Sequence, residues 1–391
     1  MKAVILAAGY GGRMRPLTKE IHKTLLKVNG DRIMDLIIKS LIDNNIKDIV
    51  IVTGYKEEQL KNHLINNFNN IVFQFIHNEK YATTNNIFSL ALAFEQIKFD
   101  KDIIMIESDL IYSSDVIEKA INSKFKNLAL VSPYKIGMDG TVVEVLDNKI
   151  IGLYPPHLQG ENFNLFDKFK TLNIYKFSKE FCENEFKKLL VYYAKSIDDN
   201  CYYELILGIL IYMQRQEIFC EIVDNEKWVE VDDPNDLIGA EFHFNKKNRI
   251  SILEDSFGGY WSYDIIDFCF IRNMYFPTKS MLAEMKNNLP SLMENYGSKQ
   301  KVLNKKLSYV LQYKKENLIA LNGAAQIYPI ISDLIKNEEI LIPDPGFGEY
   351  DRMFNVKDTY IDNGEFDTNL IEDKIKNISN IVFVNPNNPT G

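Results

Sequence analysis

Through the first half of the chain, short apolar runs rich in β-branched residues alternate with stretches whose apolar positions recur every three or four residues. Ala3–Ala8, Asp48–Thr53, Val72–Ile76, Ile103–Glu107 and Leu128–Ser132 have strand length and are largely apolar, the pattern of strands covered on both faces. Ile33–Ile42, Glu57–Ile65 and Ile87–Phe94 carry the helical period between the first four of them. The alternation predicts an α/β fold: a mostly parallel, Rossmann-like sheet with helices on both faces. Ligands are then expected beyond the carboxyl ends of the strands. Thr141–Leu153 reads as a hairpin turning at Asp147-Asn148, Ser178–Gln214 as a helical region, and Ile218–Val223 and Trp228–Val231 as a return to strand. At Asn245–Arg249 the apolar period gives way to a basic, polar run. This places a linker at 246–254 between a first domain, 1–245, and a second part, 255–391. A new pattern begins at Ile271–Pro277, runs helical from Ser280 to Leu311, and turns from strand to helix over Leu318–Gln326.

Bulk properties narrow the classes. A chain of 391 residues is too long for one ordinary core, and roughly 150 residues per domain predicts two or three. The net charge of -9 argues against a nucleic-acid partner, although local cations can still hold a small anion. Cys182, Cys201, Cys220 and Cys269 show no metal-ligand spacing and read as buried thiols in a reducing compartment. The longest apolar run, Leu205–Met213, is too short to span a bilayer, and the first strand starts almost at Met1, where a signal peptide would stand. A cytoplasmic protein without a membrane anchor is expected.

The first strand runs straight into Gly9-Tyr-Gly-Gly-Arg-Met-Arg-Pro-Leu-Thr18, and His22-Lys23 follow. Glycines let backbone N–H groups approach an anion closely, while Arg13 and Lys23 supply full positive charge. Two glycine motifs are excluded. No Gly-Lys occurs anywhere, which rules out a P-loop, and Met14 stands where a dinucleotide fingerprint needs its third glycine. Further along, Ile103-Ile-Met-Ile-Glu-Ser-Asp109 sets an acid at the carboxyl edge of a buried strand. In Trp228-Val-Glu-Val-Asp-Asp-Pro234, strand alternation puts Glu230 and Asp232 on one face and turns Asp233 away, where with Pro234 it reads as a helix cap.

Leu6-Ala-Ala-Gly-Tyr-Gly-Gly-Arg13, then Pro16-Leu-Thr18 and a later lysine, resembles the signature of the sugar-phosphate nucleotidyltransferase superfamily. His22-Lys23 in place of the commoner Pro-Lys resembles its phosphocholine cytidylyltransferase branch, as do Val52-Thr-Gly-Tyr55, Asn78-Glu-Lys-Tyr81 and Asn85-Asn-Ile-Phe-Ser89. Such enzymes attack the α-phosphorus of a nucleoside triphosphate with an oxyanion, so charge neutralisation and alignment dominate. The resemblance implies CTP as the nucleotide, with Lys23 at the α-phosphate and Arg13 on the phosphates that leave. It places the backbone around Leu6, Ala8 and Gly9 at the base and ribose, with Asn85, Asn86 and Ser89 near the base; helix capping is the alternative role of these last three. Asp109, Glu230 and Asp232 are assigned to Mg2+, with Asp109 also counted as catalytic. Lys135 and Lys170 are candidates to grip an acceptor phosphate or phosphonate, Asp139 to receive an ammonium group, and Asn173 to face the same cleft.

The second part resembles the fold-type I, pyridoxal-phosphate aminotransferases in Asn322-Gly-Ala-Ala-Gln326, Pro343-Asp-Pro-Gly-Phe-Gly-Glu-Tyr350 and Asn385-Pro-Asn-Asn-Pro-Thr-Gly391. This implies a cofactor phosphate on the backbone of Ala324 and Ala325, Phe347 (or Tyr350) stacked on the pyridine ring, and Asn388 at its 3-hydroxyl. The Schiff-base lysine and the residues that hold the ring nitrogen and substrate carboxylate lie later in such sequences. Residues 255–391 are therefore expected to be an incomplete aminotransferase part that does not transaminate as given, with homodimer formation implied through it.

The two parts together resemble the bifunctional enzymes of phosphonate biosynthesis. That resemblance implies transfer of CMP from CTP to 2-aminoethylphosphonate, giving CMP-2-aminoethylphosphonate and pyrophosphate, for decoration of glycans or lipids, with a 2-aminoethylphosphonate transaminase in the full-length protein. Phosphocholine activation to CDP-choline is the nearest alternative, and a sugar-1-phosphate transferase comes third. A non-catalytic nucleotide-binding regulator is the alternative of a different class, opposed by the presence together of Arg13, Lys23, Asp109, Glu230 and Asp232.

Overall fold

The apolar runs assemble into a nine-stranded sheet in the computed structural model. It describes residues 1–391 except Ile136, Glu161, Phe257, Gly258, Trp261, Ser262, Asp264, Cys269, Ile271, Asn337, Glu365 and Phe366, together with the side chain of Glu226. The expected burial of Cys269 lies outside the described residues, whereas Cys182, Cys201 and Cys220 are buried free thiols.

Strands β1 (Lys2–Ala7), β2 (Asp48–Thr53), β3 (Val72–His77) and β4 (Ile103–Glu107) form a parallel block in the order β3-β2-β1-β4. Leu6 pairs with Val52 on one side and Glu107 on the other, so three strands end level. That register brings the glycine loop after β1 and the acids after β4 to one edge. β1 is apolar on both faces because both are covered. Ala3, Ile5 and Ala7 face α1 (Ile33–Asp43), α2 (Glu57–Asn67) and α4 (Asp115–Asn122); Val4, Leu6 and Ala8 face α3 (Asn86–Gln96), α5 (Lys187–Ser196) and α6 (Glu204–Tyr212). Each fully buried Ile or Leu in these layers contributes about 1.5–3 kcal/mol relative to exposure.

The other half of the sheet is largely antiparallel and holds the hairpin expected over 141–153. After β5 (Leu110–Tyr112) and β6 (Leu128–Pro133) come the hairpin β7 (Val142–Leu146) and β8 (Lys149–Tyr154), then β9 (Phe169–Phe177) and β10 (Phe219–Ile222). The full order is β3-β2-β1-β4-β9-β6-β10-β8-β7, and β9 runs antiparallel to β4, β6 and β7. Hydrophobic period predicts a strand but not its neighbour. Asn173 breaks β9 with a positive φ of 57°, between the two registers that Thr171 and Tyr175 keep with β6. The bulge re-aims side chains at the sheet's edge.

The helical region expected over 178–214 is interrupted between Ser196 and Glu204. There the Asp198 side chain captures the Asn200 N–H, and the Asp199 carbonyl accepts the Asn85 N–H at 3.0 Å. The linker expected at 246–254 is instead largely helix. α7 (Pro234–Phe244) is followed by α8 (Arg249–Asp255), and Arg249 donates to the carbonyls of Phe242 and His243, both at 2.9 Å. The basic run thus caps the end of α7. The chain divides later, into units Met1–Phe270 and Ile271–Gly391.

In the second unit the expected helix over 280–311 is two, Lys279–Glu294 and Gln300–Leu311. A three-stranded parallel sheet has Ile340–Asp344 between Val356–Ile361 and Asn380–Ile381. Leu318–Leu321, expected as a strand, has no sheet partner among the described residues.

Val52-Thr-Gly-Tyr55 acquires a structural role. The Tyr55 N–H bonds the Ala8 carbonyl at 3.1 Å, and its hydroxyl donates to the Thr18 carbonyl at 3.0 Å. A Cβ on Gly54 would lie 2.6 Å from both the Ala8 oxygen and the Tyr81 Cβ. Gly54→Ala is therefore expected to cost about 1–3 kcal/mol by urea denaturation. Gly9→Ala, with nothing within 4 Å of the added carbon, should change stability by no more than about 0.5 kcal/mol.

Candidate active site

The loop after β1 is shaped before any ligand arrives. Gly11 sits in the left-handed region, and its carbonyl accepts the Met14 N–H at 3.1 Å and the Thr18 hydroxyl at 2.8 Å. Met14 and Thr18 are buried beneath it. His22, 1% exposed, lies with Nε2 3.2 Å from the Ala7 carbonyl, while Nδ1 accepts the Thr24 N–H at 3.2 Å. These bonds assign the neutral ring with its proton on Nε2. Burial, with a smaller push from Lys23, lowers its pKa to about 4 against the bond to Ala7. His22 thus faces the protein and caps the turn Lys23–Leu25 that presents Lys23.

Lys23 is held between two acids, with Nζ 3.0 Å from Asp109 Oδ2 and 2.8 Å from Asp232 Oδ1. Burial opposes its charge, but Asp109 and Asp232 outweigh that and hold its pKa above the ordinary lysine range. Arg13, 62% exposed along its side chain, reaches Asp232 Oδ2 at 2.8 Å and Asp139 Oδ2 at 3.2 Å. Asp232 therefore bridges the two cations that the sequence assigned to phosphates. Its own pKa is held down by Lys23 and Arg13 against burial.

A second cluster surrounds Glu230. Lys170, 1% exposed, lies 3.1 Å from Glu230 Oε2, and Asn173 Nδ2 donates to Oε1 at 3.2 Å. Both were acceptor candidates; in the structure their polar ends are engaged on Glu230, and Lys170 also donates to the Thr171 carbonyl. The bulge at Asn173 is the reason, since it turns β9 toward the acid. Burial first, then Asp109 and Asp232, raise the Glu230 pKa to about 7 against Lys170. Of the other acceptor candidates, Asp139 is paired with Arg13, and Lys135 is exposed and lines a cavity of about 700 Å³ together with Asp139, Glu230 and Asp232.

The expected base-side residues are braced internally. Asn85 caps α3 by accepting the Asn86 N–H, Asn86 bonds Glu107 Oε1 and the Tyr203 N–H, both at 3.0 Å, and Ser89 accepts from Asn78. Capping is thus the observed role of Asn85. Leu6 and Ala8 are buried at the end of β1, and Gly9 is exposed just beyond. Asp233 caps α7 in a reciprocal capping box with Asp236, as its turned-away position implied.

Sequence reasoning missed Glu107 and Glu204. Glu107 lies two residues before Asp109, a spacing that alternation could have flagged, and burial and Glu204 raise its pKa well above normal. Glu204 opens the otherwise apolar α6, is 2% exposed, and has Oε2 buried without a partner; burial lifts its pKa to about 7. Among the described residues, Asp139, Glu230 and Asp232 bring ligand atoms within 4.8 Å of one another, so Asp139 joins two of the three expected metal ligands, while the third, Asp109, pairs with Lys23. Asp109 keeps Oδ1 buried without a partner. Asp139 comes from a loop far along the chain, whose approach no local pattern announces.

In the second unit, Ala324 and Ala325 form a turn leading into the helix Ile327–Leu334. Phe347 is 40% exposed and meets the buried Tyr350 edge-on, centroids 5.9 Å apart, which favours Phe347 over Tyr350 as a stacking surface. Asn388 is exposed, whereas its neighbour Asn387 is buried and bonds Asp362 Oδ2 at 2.9 Å.

The His22 geometry predicts a pH dependence of stability. An unfolded histidine binds its proton near 6.5, the folded one only near 4, so stability is full above about 6.5 and falls as the pH drops toward 4. Between pH 7 and 5 the loss from this group is about 2 kcal/mol. Urea denaturation at both values should show it in the wild type and a flatter response in His22→Gln.

A nucleotidyl transferase family model matches residues 2–137, and an aminotransferase class I and II model matches residues 273–391. The CMP-5'-(3-aminopropyl)phosphonate synthase of Streptomyces rubellomurinus is 25% identical over 400 residues, which is 100% of this chain and 63% of that protein, so the chain spans less than two thirds of that relative. The choline-phosphate cytidylyltransferase of Haemophilus influenzae is 31% identical over 169 residues, 42% of this chain and 68% of the relative. Among solved structures, the CTP:phosphocholine cytidylyltransferase of Streptococcus pneumoniae aligns over 61% of this chain and 97% of its own with a TM-score of 0.50 and 21% identity, a likeness of fold. The chain belongs to the nucleotidyl transferase family and carries a class I and II aminotransferase segment behind that domain.

Proposed function

We propose that the first unit is a magnesium-dependent cytidylyltransferase that moves CMP from CTP to 2-aminoethylphosphonate. A phosphonate oxygen of the acceptor attacks the α-phosphorus, and the bond to the bridging oxygen breaks, releasing pyrophosphate. The observation that carries this reading is Lys23 held between Asp109 and Asp232 at the end of β1, with Arg13 on the far side of Asp232. The arrangement supplies two fixed cations for phosphates and carboxylates for a metal.

The donor set fits Mg2+. Asp109 Oδ1 is a buried oxygen without a partner, and Asp139, Glu230 and Asp232 converge. When bound, the ion neutralises charge on the phosphates. Lys23 then orients the α-phosphate, and Arg13, the more exposed cation, exchanges its carboxylate partners for the phosphates that leave. Lys170 and Asn173 act as positioning residues that hold Glu230 in place.

The choice of CTP is supported by the cytidylyltransferase relatives, and an aminophosphonate acceptor by the full-chain similarity to an aminopropylphosphonate synthase and by the aminotransferase segment. The Haemophilus influenzae relative keeps phosphocholine as the second reading. In the whole protein the second unit would hold pyridoxal phosphate on the backbone of Ala324 and Ala325, with Phe347 at the ring and Asn388 at its 3-hydroxyl. Gly323, with a φ of 96° and open space where a Cβ would stand, leaves that turn approachable. The cofactor supplies the electron sink of transamination, which would furnish the amine of 2-aminoethylphosphonate. Apolar side chains left exposed on Lys279–Glu294 and Gln300–Leu311 support a homodimer through this part. No helix of the described residues is long and apolar enough to cross a membrane, and a cytoplasmic place is the reading consistent with a CTP-using enzyme.

The test offers CTP, UTP, ATP or GTP with 2-aminoethylphosphonate, phosphocholine or glucose-1-phosphate and follows pyrophosphate release. CTP with the phosphonate should give the highest kcat/KM; a higher value with phosphocholine would overturn the substrate assignment. Lys23→Met and Asp109→Ala should each lower kcat by about 100-fold or more at saturating magnesium. Full activity in either would remove that residue from the mechanism.

A further inference from the structure

The cavity of about 700 Å³ in the first unit has the size of a small-molecule site, and Glu230 and Asp232 are among its lining residues. Trp228, Phe242 and Tyr263 are aromatic members of its lining, which also includes Asn235, Asp236 and His243. Tyr263 comes from beyond α8, in a stretch that also contributes Ser256 and Gly259. Its ring packs on Phe242 with centroids 4.6 Å apart, and its hydroxyl lies 2.8 Å from the Ser256 Oγ. The wall is thus fixed at two points.

An acceptor reacting beside Glu230 and Asp232 presents its oxyanion to the nucleotide and must send its other end away from it. The space that opens from those two residues is this cavity. An ammonium group entering it meets the Tyr263 ring and the carboxylates of Asp139, Glu230 and Asp232, which attract a cation. The Trp228 and Phe242 rings are already faced by Lys170 at 5.9 Å and Arg249 at 4.9 Å. We propose that the segment carrying Ser256, Gly259 and Tyr263 forms the outer wall of the acceptor's amine pocket and sets which amine-bearing tail the transferase takes. The inference rests on the amine-bearing acceptor of the proposed function. Residues behind the glycine loop and metal acids can vary without disturbing phosphate chemistry, which suits a specificity element.

The experiment uses the full chain at saturating CTP, with 2-aminoethylphosphonate, 3-aminopropylphosphonate and phosphocholine as acceptors. Tyr263→Ala should raise the KM for 2-aminoethylphosphonate about tenfold and shift the kcat/KM ratio about fivefold toward the bulkier or longer tails. The KM for CTP should stay within twofold. Tyr263→Phe, which keeps the ring, should retain the wild-type ratios, and Tyr263→Leu repeats the test should the alanine variant not fold. Unchanged acceptor KM and ratios in a folded Ala or Leu variant, with the wild type active on these acceptors, overturn this inference alone. A wild type that turns over glucose-1-phosphate and none of the amines overturns the acceptor reading and the inference with it.

Discussion

Lys23 set between Asp109 and Asp232 is the interaction around which the first unit is arranged. The three residues come from the loop after β1, the end of β4 and the end of the Trp228–Glu230 strand segment, so the parallel register of β1 with β4 and the pairing of Trp228–Glu230 with β5 are both needed to bring them together. The supports are local and specific. His22 anchors the turn that carries Lys23 to the Ala7 carbonyl, Gly54 lets its strand end pass close to Ala8, and the capping box of α7 holds Asp232 by its backbone N–H on Asp236. Buried charges persist only when paired, and each of these supports keeps a pair within reach.

The same constraint explains why the site calls for cations. Glu107, Asp109, Asp139, Glu204, Glu230 and Asp232 crowd around Arg13, Lys23 and Lys170, six acids to three cations. Burial raises three of these acids, Glu204 and Glu230 to a pKa of about 7 and Glu107 well above the usual carboxylate range, with like charges adding to it. On the proposed reading, a divalent ion among the carboxylates and an ammonium-bearing acceptor would each add positive charge here and let Arg13 and Lys23 turn to phosphate.

Much of this was readable in the sequence. The apolar runs located the parallel block and the covering helices, because a strand buried on two faces has nowhere to place polar residues. Strand alternation paired Glu230 with Asp232 and separated Asp233, which duly caps α7. What escaped the sequence depends on distant pairing. The antiparallel insertion of β9 between β4 and β6 has no local signature, and with it went the true position of Lys170 and Asn173 at Glu230. Asp139 reached the metal-capable group through a loop. Arg249 looked like part of a linker because a basic side chain capping carbonyls and one facing water read alike.

The central claim is that these carboxylates and cations form one nucleotide site completed by a divalent ion. Calorimetric titration of CTP with and without magnesium tests it most directly. The account predicts that magnesium tightens binding at least tenfold in the wild type and that Asp232→Asn largely abolishes the difference. A CTP affinity indifferent to magnesium in the wild type would contradict it.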